Sequence, residues 1–298
     1  IIKVLREGLA ANRVDWLAGI INGTGNYILT EMRDKGRDFA DVLVEAQALG
    51  YAEADPAFDV EGTDAAHKLT IMASLAFGIP LQFDKAYVEG ITQLTRDDVS
   101  YAEELGYRIK HLGIARRTAD GIELRVHPTL IPADRLIANV HGVKNAVLVQ
   151  SDPVGATLYY GAGAGAGPTA SAVVADLVDL VRSLTAESSP NVPHLAFMPQ
   201  AIAATPILAM ESVVTSYYLR LQAEDKPGVL ADVTRILSSR GISIEAIVQK
   251  PAQAEGAVPV IILTNPVLER EMNRAIAELE ALSDIVGAVT RIRLETLA

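Results

Sequence analysis

The chain is expected to be an α+β protein in which helices pack on a mostly antiparallel sheet and a ferredoxin-like βαββαβ unit follows. Three observations point to this class. Apolar residues recur at three- and four-residue spacing in several segments of the first hundred positions. Runs with strand character then cluster between positions 107 and 160. Helices first and antiparallel strands afterwards place the helices on one face of a sheet. From Ser216 onward the order becomes strand, helix, strand, strand, helix, strand, which is the ferredoxin-like arrangement.

At 298 residues, half of them hydrophobic and 21 % charged, the chain has material for two domains with a substantial core. The net charge of -11 argues against nucleic acid and anionic membrane as partners, since both require a basic surface. With no cysteine there is no disulfide and no thiolate chemistry, which fits a cytoplasmic protein. No apolar run is long enough to span a bilayer, and the opening residues lack the parts of a signal peptide.

Residues 3–11 predict a short helix, and residues 14–21 a strand that runs into Asn22, Gly23, Thr24, Gly25 and Asn26. A helix follows through Tyr27, Ile28, Leu29 and Met32, with Asn22 or Thr24 able to cap it. Its first turn offers free backbone N–H groups, which seat a small anion or simply meet water. A second helix over 38–49 ends at Gly50. Residues 50–62 lack a helical period and carry Gly50, Pro56 and Gly62, so they form a loop. Thr63 or Asp64 then caps a helix whose apolar face is Leu69, Met72, Ala73 and Ala76.

That loop and helix start hold five carboxylates within twelve residues: Glu53, Asp55, Asp59, Glu61 and Asp64. Lys68 stands four positions after Asp64, on the same helical face. Carboxylates this dense repel one another unless a cation sits among them, and Lys68, a metal or a substrate ammonium can serve. Spacing alone fits equally well a solvated acidic loop followed by an ordinary helical ion pair.

Gly78 and Pro80 end the third long helix, and a short one follows over 96–105. Strands are expected over 107–116, 122–130, 145–150 and 156–160, the first two joined near the hairpin signal Asp120-Gly121. Such a sheet can pair with a copy of itself. Residues 161–167 alternate glycine and alanine before a helix over 170–183 opened by Pro168 and Thr169. Gly161, Gly163 and Ala166 formally match a dinucleotide fingerprint, but no parallel strand ending in an acid follows, so that fold is not assigned. The domains are drawn at 1–185 and 216–298, with 186–215 as a linker containing four prolines across which few contacts are expected. The last unit runs from a strand through Tyr217 to Ala223, over the turn Asp225-Lys226-Pro227-Gly228, into a helix. Strands over 242–248 and 258–263, a helix over 269–282 and a strand over 285–294 complete it. It has apolar faces of its own and could fold alone.

Three long motifs carry a family resemblance. GIINGTGNYILTEM at 19–32, GYAEADPAFDVEGTDAAHKL at 50–69 and GAGAGAGPTASAVVADL at 161–177 resemble, in this order, homoserine dehydrogenases. The turn D-K-P-G-V-L inside a βαββαβ unit looks like an ACT domain, a module that binds small amino acids. The resemblance implies NAD(P)-dependent interconversion of L-aspartate-4-semialdehyde and L-homoserine. It makes Lys68 the proton donor and acceptor at the substrate oxygen, with Asp64 orienting it and contacting substrate. Glu53 and Asp59 would hold the substrate's amino end, and Asn22, Gly23 and Thr24 would line the pocket. Gly163 and Gly165 would approach the nicotinamide, while Asp225, Gly228, Val229 and Leu230 would contact an effector such as threonine. No metal ligand is assigned. The main NAD or NADP site is expected in a nucleotide-binding domain ahead of the opening IIKVLREGL, where this chain looks like part of a longer enzyme. A homodimer or dimer of dimers is also implied. The alternative is a cofactor-free amino-acid-binding module that has lost catalysis.

Overall fold

A computed structural model describes residues 1–185, 192–251 and 257–298. The expected opening helix is a single π-type turn, Val4–Gly8, which buries Leu5 against the core. After it come β1 (Arg13–Ile20), α1 (Gly23–Lys35), α2 (Phe39–Ala48) and, inside the acidic loop, a one-turn helix α3 (Ala57–Val60). Next are α4 (Thr63–Phe77), β2 (Tyr87–Val88), α5 (Arg96–Glu104), β3 (Tyr107–Arg117), β4 (Ile122–Pro132), β5 (Lys144–Asp152) and β6 (Gly155–Ala162). The glycine-rich stretch enters α6 (Ala166–Thr185), four residues earlier than periodicity suggests. The C-terminal unit comprises β7 (Val214–Glu224), α7 (Val229–Ser239), β8 (Ile244–Gln249), β9 (Ala257–Thr264), β10 (Val267–Leu268), α8 (Glu269–Glu280) and β11 (Thr290–Leu294).

Helices do lie on a largely antiparallel sheet, but the sheet is continuous through both units. Its order is β6-β5-β1-β3-β4-β11-β7-β9-β8, with β2 beside β4 and β10 beside β7. The strands β11 and β4 pair in parallel, Arg293 opposite Thr129, and β2 also runs parallel to β4. Strand β4 therefore has neighbours along both edges and is buried almost throughout.

On one face Leu17, Ala115, Leu124 and Val126 pack against Leu69, Met72 and Phe77 of α4. A second cluster on this side crosses the seam: Ile28, Met32, Val42 and Val99 from α1, α2 and α5 meet Tyr218, Ile261 and Ile292. On the other face α7 and α8 cover the C-terminal strands through Val233, Leu237, Met272 and Leu279. Trp16, Leu112 and Ile114 are covered there by Ile137 and by the chain end at Leu297.

The expectation of few contacts across the linker is corrected on two counts. The described part of the linker is pinned to the N-terminal unit: Ile122 N–H donates to the Pro206 carbonyl, Leu208 N–H donates to the Ile122 carbonyl, and Phe197 packs on Gly78. Residues 186–191 of that call lie outside the described residues. The two units are also joined by buried ion clusters. Arg220 of β7 donates to Asp98 of α5 at 2.6 and 3.0 Å, and Arg125 of β4 donates to Glu295 at 2.5 Å. Arg293 of β11 donates to Glu269 at 2.5 and 3.0 Å and to Glu89 at 2.8 Å. Burial alone would raise the Glu269 carboxyl, but the guanidiniums of Arg293 and Arg291 outweigh it and hold it below its usual range. Local apolar patterning suggests a self-sufficient unit because it reports each face's burial and not what buries it.

Helix α6 differs from the rest. Val174, Leu177, Val181 and Leu184 are exposed along it, and no residue of the helix is buried by the described residues.

Arg293 is fully buried and Glu269 is 2 % exposed. Arg293→Met should cost up to about 3–5 kcal/mol, because it removes the buried partner of Glu269 and leaves Arg291 alone to offset that carboxylate. Urea denaturation checks this. The double variant Arg293→Met/Glu269→Gln should recover part of the loss, and a single variant as stable as wild type would show that the cluster does not hold the seam.

Candidate active site

Strand β1 delivers the chain to Ile21 and Asn22 at the start of α1. Asn22 has extended backbone, and its side-chain oxygen accepts the Gly25 N–H at 2.8 Å, capping the helix. That leaves its amide nitrogen free to donate to Asp59 Oδ1 at 2.7 Å and to Asp64 Oδ2 at 2.9 Å. Lys68 Nζ donates to the same Asp64 Oδ2 at 2.7 Å and to the Ile21 carbonyl at 3.2 Å. Two of its three donors are thus committed, and the side chain remains half exposed at 51 %. Two carboxylates, one amide and one ammonium form a fixed group with a donor available on the solvent side.

The segment carrying Asp59 and Asp64 is held by its neighbours. Thr24 Oγ1 donates to the Tyr51 carbonyl at 2.6 Å, tying the loop to α1. Neither Thr63 nor Asp64 caps α4; that position is taken by Gly62. Its φ of 87° and the His111 ring, 3.0 Å from where a Cβ would stand, both demand glycine. Glu53 lies apart from the hydrogen-bonded group, exposed, with its backbone carbonyl accepting from Gln47. Gly23 sits flush against the Val143 carbonyl, 2.9 Å from a built Cβ.

Further along, Gly165 has a φ of 108°, while a Cβ on Gly163 would stand 2.5 Å from Asn145 Oδ1. Both glycines therefore have reasons within the chain itself. Gly161 and Gly167 do not, since a Cβ on either would meet nothing within 4 Å. Among the described residues no group of three or more His, Asp or Glu side chains is placed to hold a metal ion.

Comparison with known proteins shows the family. Residues 1–178 match the homoserine dehydrogenase family and residues 217–284 match the ACT domain. The chain belongs to the homoserine dehydrogenase family. A homoserine dehydrogenase of Pseudomonas aeruginosa is 68 % identical over 298 residues, covering all of this chain and 69 % of that protein. One from Neisseria gonorrhoeae is 58 % identical, covering all of this chain and 68 % of that protein. The crystal structure of a homoserine dehydrogenase from Thiobacillus denitrificans superposes with a TM-score of 0.94 at 67 % identity, over all of this chain and 68 % of that one. Homoserine dehydrogenases are NAD(P)-dependent oxidoreductases of amino-acid biosynthesis that interconvert L-aspartate-4-semialdehyde and L-homoserine, and this chain is of that class.

The ACT turn lines a separate cavity. Asp225, Gly228, Val229 and Leu230 line a cavity of about 190 Å³ with Gln249 and Val260. Gly228 has a φ of 99° and begins α7, so a turn conformation explains that glycine. No helix among the described residues is long and apolar enough to cross a membrane.

Sequence patterning did not single out Asn26, Lys110, His111 and Asn145, which surround the site. The signal available was a Lys110-His111 pair inside the otherwise apolar run from Ile109 to Ala115. His111 is buried beneath Gly25 and Gly62, its Nε2 within 2.9 Å of the Glu89 carbonyl. Lys110 is 1 % exposed; burial, then Arg33 and Arg108, push its pKa down to about 7.

A lysine near 10.5 when unfolded and about 7 when folded binds more protons in the unfolded chain between those values. Stability from this group therefore rises as pH increases from about 7 toward 10.5 and is lost as pH falls through 7. The difference in urea midpoint between wild type and Lys110→Met, measured at pH 7 and 9.5, should shift in favour of wild type at the higher pH. A difference independent of pH would place the lysine's titration outside folding.

Proposed function

We propose that Lys68 is the acid–base group of the reaction, that Asp64 orients it, and that Asn22, Gly23, Thr24, Asp59 and Glu53 bind the amino-acid substrate. The single observation that carries this assignment is the convergence of Lys68 and Asn22 on Asp64 Oδ2. When bound, the nicotinamide nucleotide supplies or takes the hydride. Negative charge then develops on the substrate oxygen, and a positioned cation with a transferable proton stabilises it. Lys68 is anchored by Asp64 and the Ile21 carbonyl, so its third donor can point at that oxygen without reorganisation. In the reverse direction the neutral amine takes the hydroxyl proton. Asp59 keeps an unshared oxygen for the substrate ammonium, and Glu53, exposed on the same loop, is assigned a part in holding that group.

The proposal extends to the rest of the assembly. The backbone of 161–167 and the apolar face of α6 meet the nucleotide-binding part of the enzyme, which supplies the main NAD or NADP site. The effector occupies the ACT cavity, with its ammonium at Asp225 and its carboxylate at the N-terminus of α7, where free N–H groups and the helix dipole favour an anion. Threonine fits a cavity of about 190 Å³. The chain works in the cytoplasm as a homodimer or dimer of dimers, with the edge strand β6 and the half-buried Leu148 and Leu158 as the face that meets a copy.

Lys68→Ala in the complete encoded protein should lower kcat by at least about 100-fold, within the usual contribution of general acid–base catalysis. Glu53→Gln should chiefly raise KM for homoserine. Steady-state assays separate the two. Near-normal kcat with an unchanged pH profile in Lys68→Ala would remove the lysine from the chemistry.

The effector assignment is checked by inhibition curves with threonine, serine, isoleucine and methionine. One of them should inhibit, and Asp225→Ala should weaken that inhibition by about 5- to 150-fold, the span of ordinary allosteric coupling. Unchanged inhibition would move the effector elsewhere.

A further inference from the structure

We infer that Asn145 is a ligand-contacting residue of this active site, and that Asn26 and Lys110 form a buried clamp that positions it. The inference rests on the active site assigned above to Lys68 and Asn22, and concerns the turn that walls it.

Residues 140–144 wrap around one buried carboxamide. Asn26 is 2 % exposed, and its Nδ2 donates to the carbonyls of Val140, Gly142 and Lys144 at 3.2, 2.9 and 3.1 Å. Its Oδ1 accepts from Lys110 Nζ at 3.1 Å, and the same amine donates to the Val140 carbonyl at 2.5 Å. A fifth hydrogen bond comes from the next turn of α1, where Thr30 Oγ1 accepts the Gly142 N–H at 3.1 Å. Burying an amine and an amide is costly unless every partner is in place. Here both side chains are spent on the backbone of one short turn, so its position is set closely relative to α1.

That turn reaches the active site at two points. The Val143 carbonyl fills the space beside Gly23, the neighbour of Asn22. Immediately after it, the Asn145 carboxamide lies between Gly23 and Gly163: its Oδ1 is 3.6 Å from a built Cβ of the first and 2.5 Å from that of the second. Asn145 thus occupies the gap between the substrate corner and the glycine-rich segment. It is half buried, and its side chain makes no hydrogen bond among the described residues. A carboxamide offers a donor and an acceptor together. It suits a ligand group that presents the same pair, either the amino-acid head of the substrate or the primary carboxamide of a nicotinamide. Lys110 and Asn26 touch neither; they act through the turn.

The test uses the complete encoded protein and the variants Asn145→Ala, Lys110→Met and their combination. Asn145→Ala should lower kcat/KM at least about tenfold at unchanged melting temperature. The KM that rises, for homoserine or for the nucleotide, identifies the ligand contacted. Lys110→Met should lower the same parameter, and the double variant should be no worse than the poorer single, since coupled residues are non-additive. Thr30→Val loosens the same turn and serves if Lys110→Met does not fold. Binding is followed in parallel as the thermal shift produced by homoserine and by NADPH, which Asn145→Ala should diminish. That readout stands even if wild type shows no turnover, an outcome that would count against the proposed function and not against the contact. Wild-type kcat/KM and thermal shifts in Asn145→Ala, or multiplicative losses in the double variant, would overturn the inference.

Discussion

Asp59 and Asp64 are brought close together on either side of Gly62, and the site depends on how their charge is shared. Asn22 resolves this by dividing its side chain: the oxygen caps α1 and the nitrogen serves both carboxylates. The helix start and the acidic loop are consequently fixed by one residue, which couples the entry of α1 to the entry of α4. Lys68 adds the charge that an amide cannot, and the i,i+4 spacing on α4 places its ammonium without a search. An exposed ion pair of this kind contributes little to stability. In the proposed mechanism its value lies in where it leaves the proton.

The packing beneath explains why this arrangement can be held. His111 fills the space under Gly25 and Gly62, and the carbonyl of Glu89 meets its Nε2. The side chain of Glu89 in turn accepts from Arg293, whose other nitrogens go to Glu269 at the start of α8. A chain of packed and hydrogen-bonded groups therefore runs from the ACT unit to the floor of the active site. The continuous sheet gives that chain a rigid frame, because β11 pairs directly with β4. A cleft of about 940 Å³ lies beside it, lined by Glu61 and Thr63 on one wall and Asn273 and Ile276 on the other. Contiguity alone does not make a pathway. The link from α8 to the acidic loop runs through Arg293, Glu89 and His111, since the cleft separates the two directly.

Much of the fold was legible in the chain because periodicity reports burial. The apolar faces of α1, α4 and α7, the helix α8 and the strand β7 all lie where the sequence placed them, as does the hairpin between β3 and β4. Asp64 and Lys68 were legible for the same reason, being neighbours on one helix. The misjudged independence of the C-terminal unit has an equally plain cause. Arg220, Arg293 and Glu295 look in sequence like exposed strand charges, and only their partners Asp98, Glu89 and Arg125 make them interior groups.

The sequence by itself determined the elements, their order, the family and the short-range pair at the centre of the site, all of which arise from contacts a few residues apart or from motifs read whole. Tertiary structure alone decided that Asn22 reaches Asp59 and Asp64 and that Asn26 and Lys110 grip residues 140–144. It alone decided, too, that the two units share one sheet. These contacts join residues 30 to more than 100 positions apart, and a buried polar side chain looks the same in sequence as one that faces water. What tells them apart is whether a partner waits in the fold, which no local pattern records.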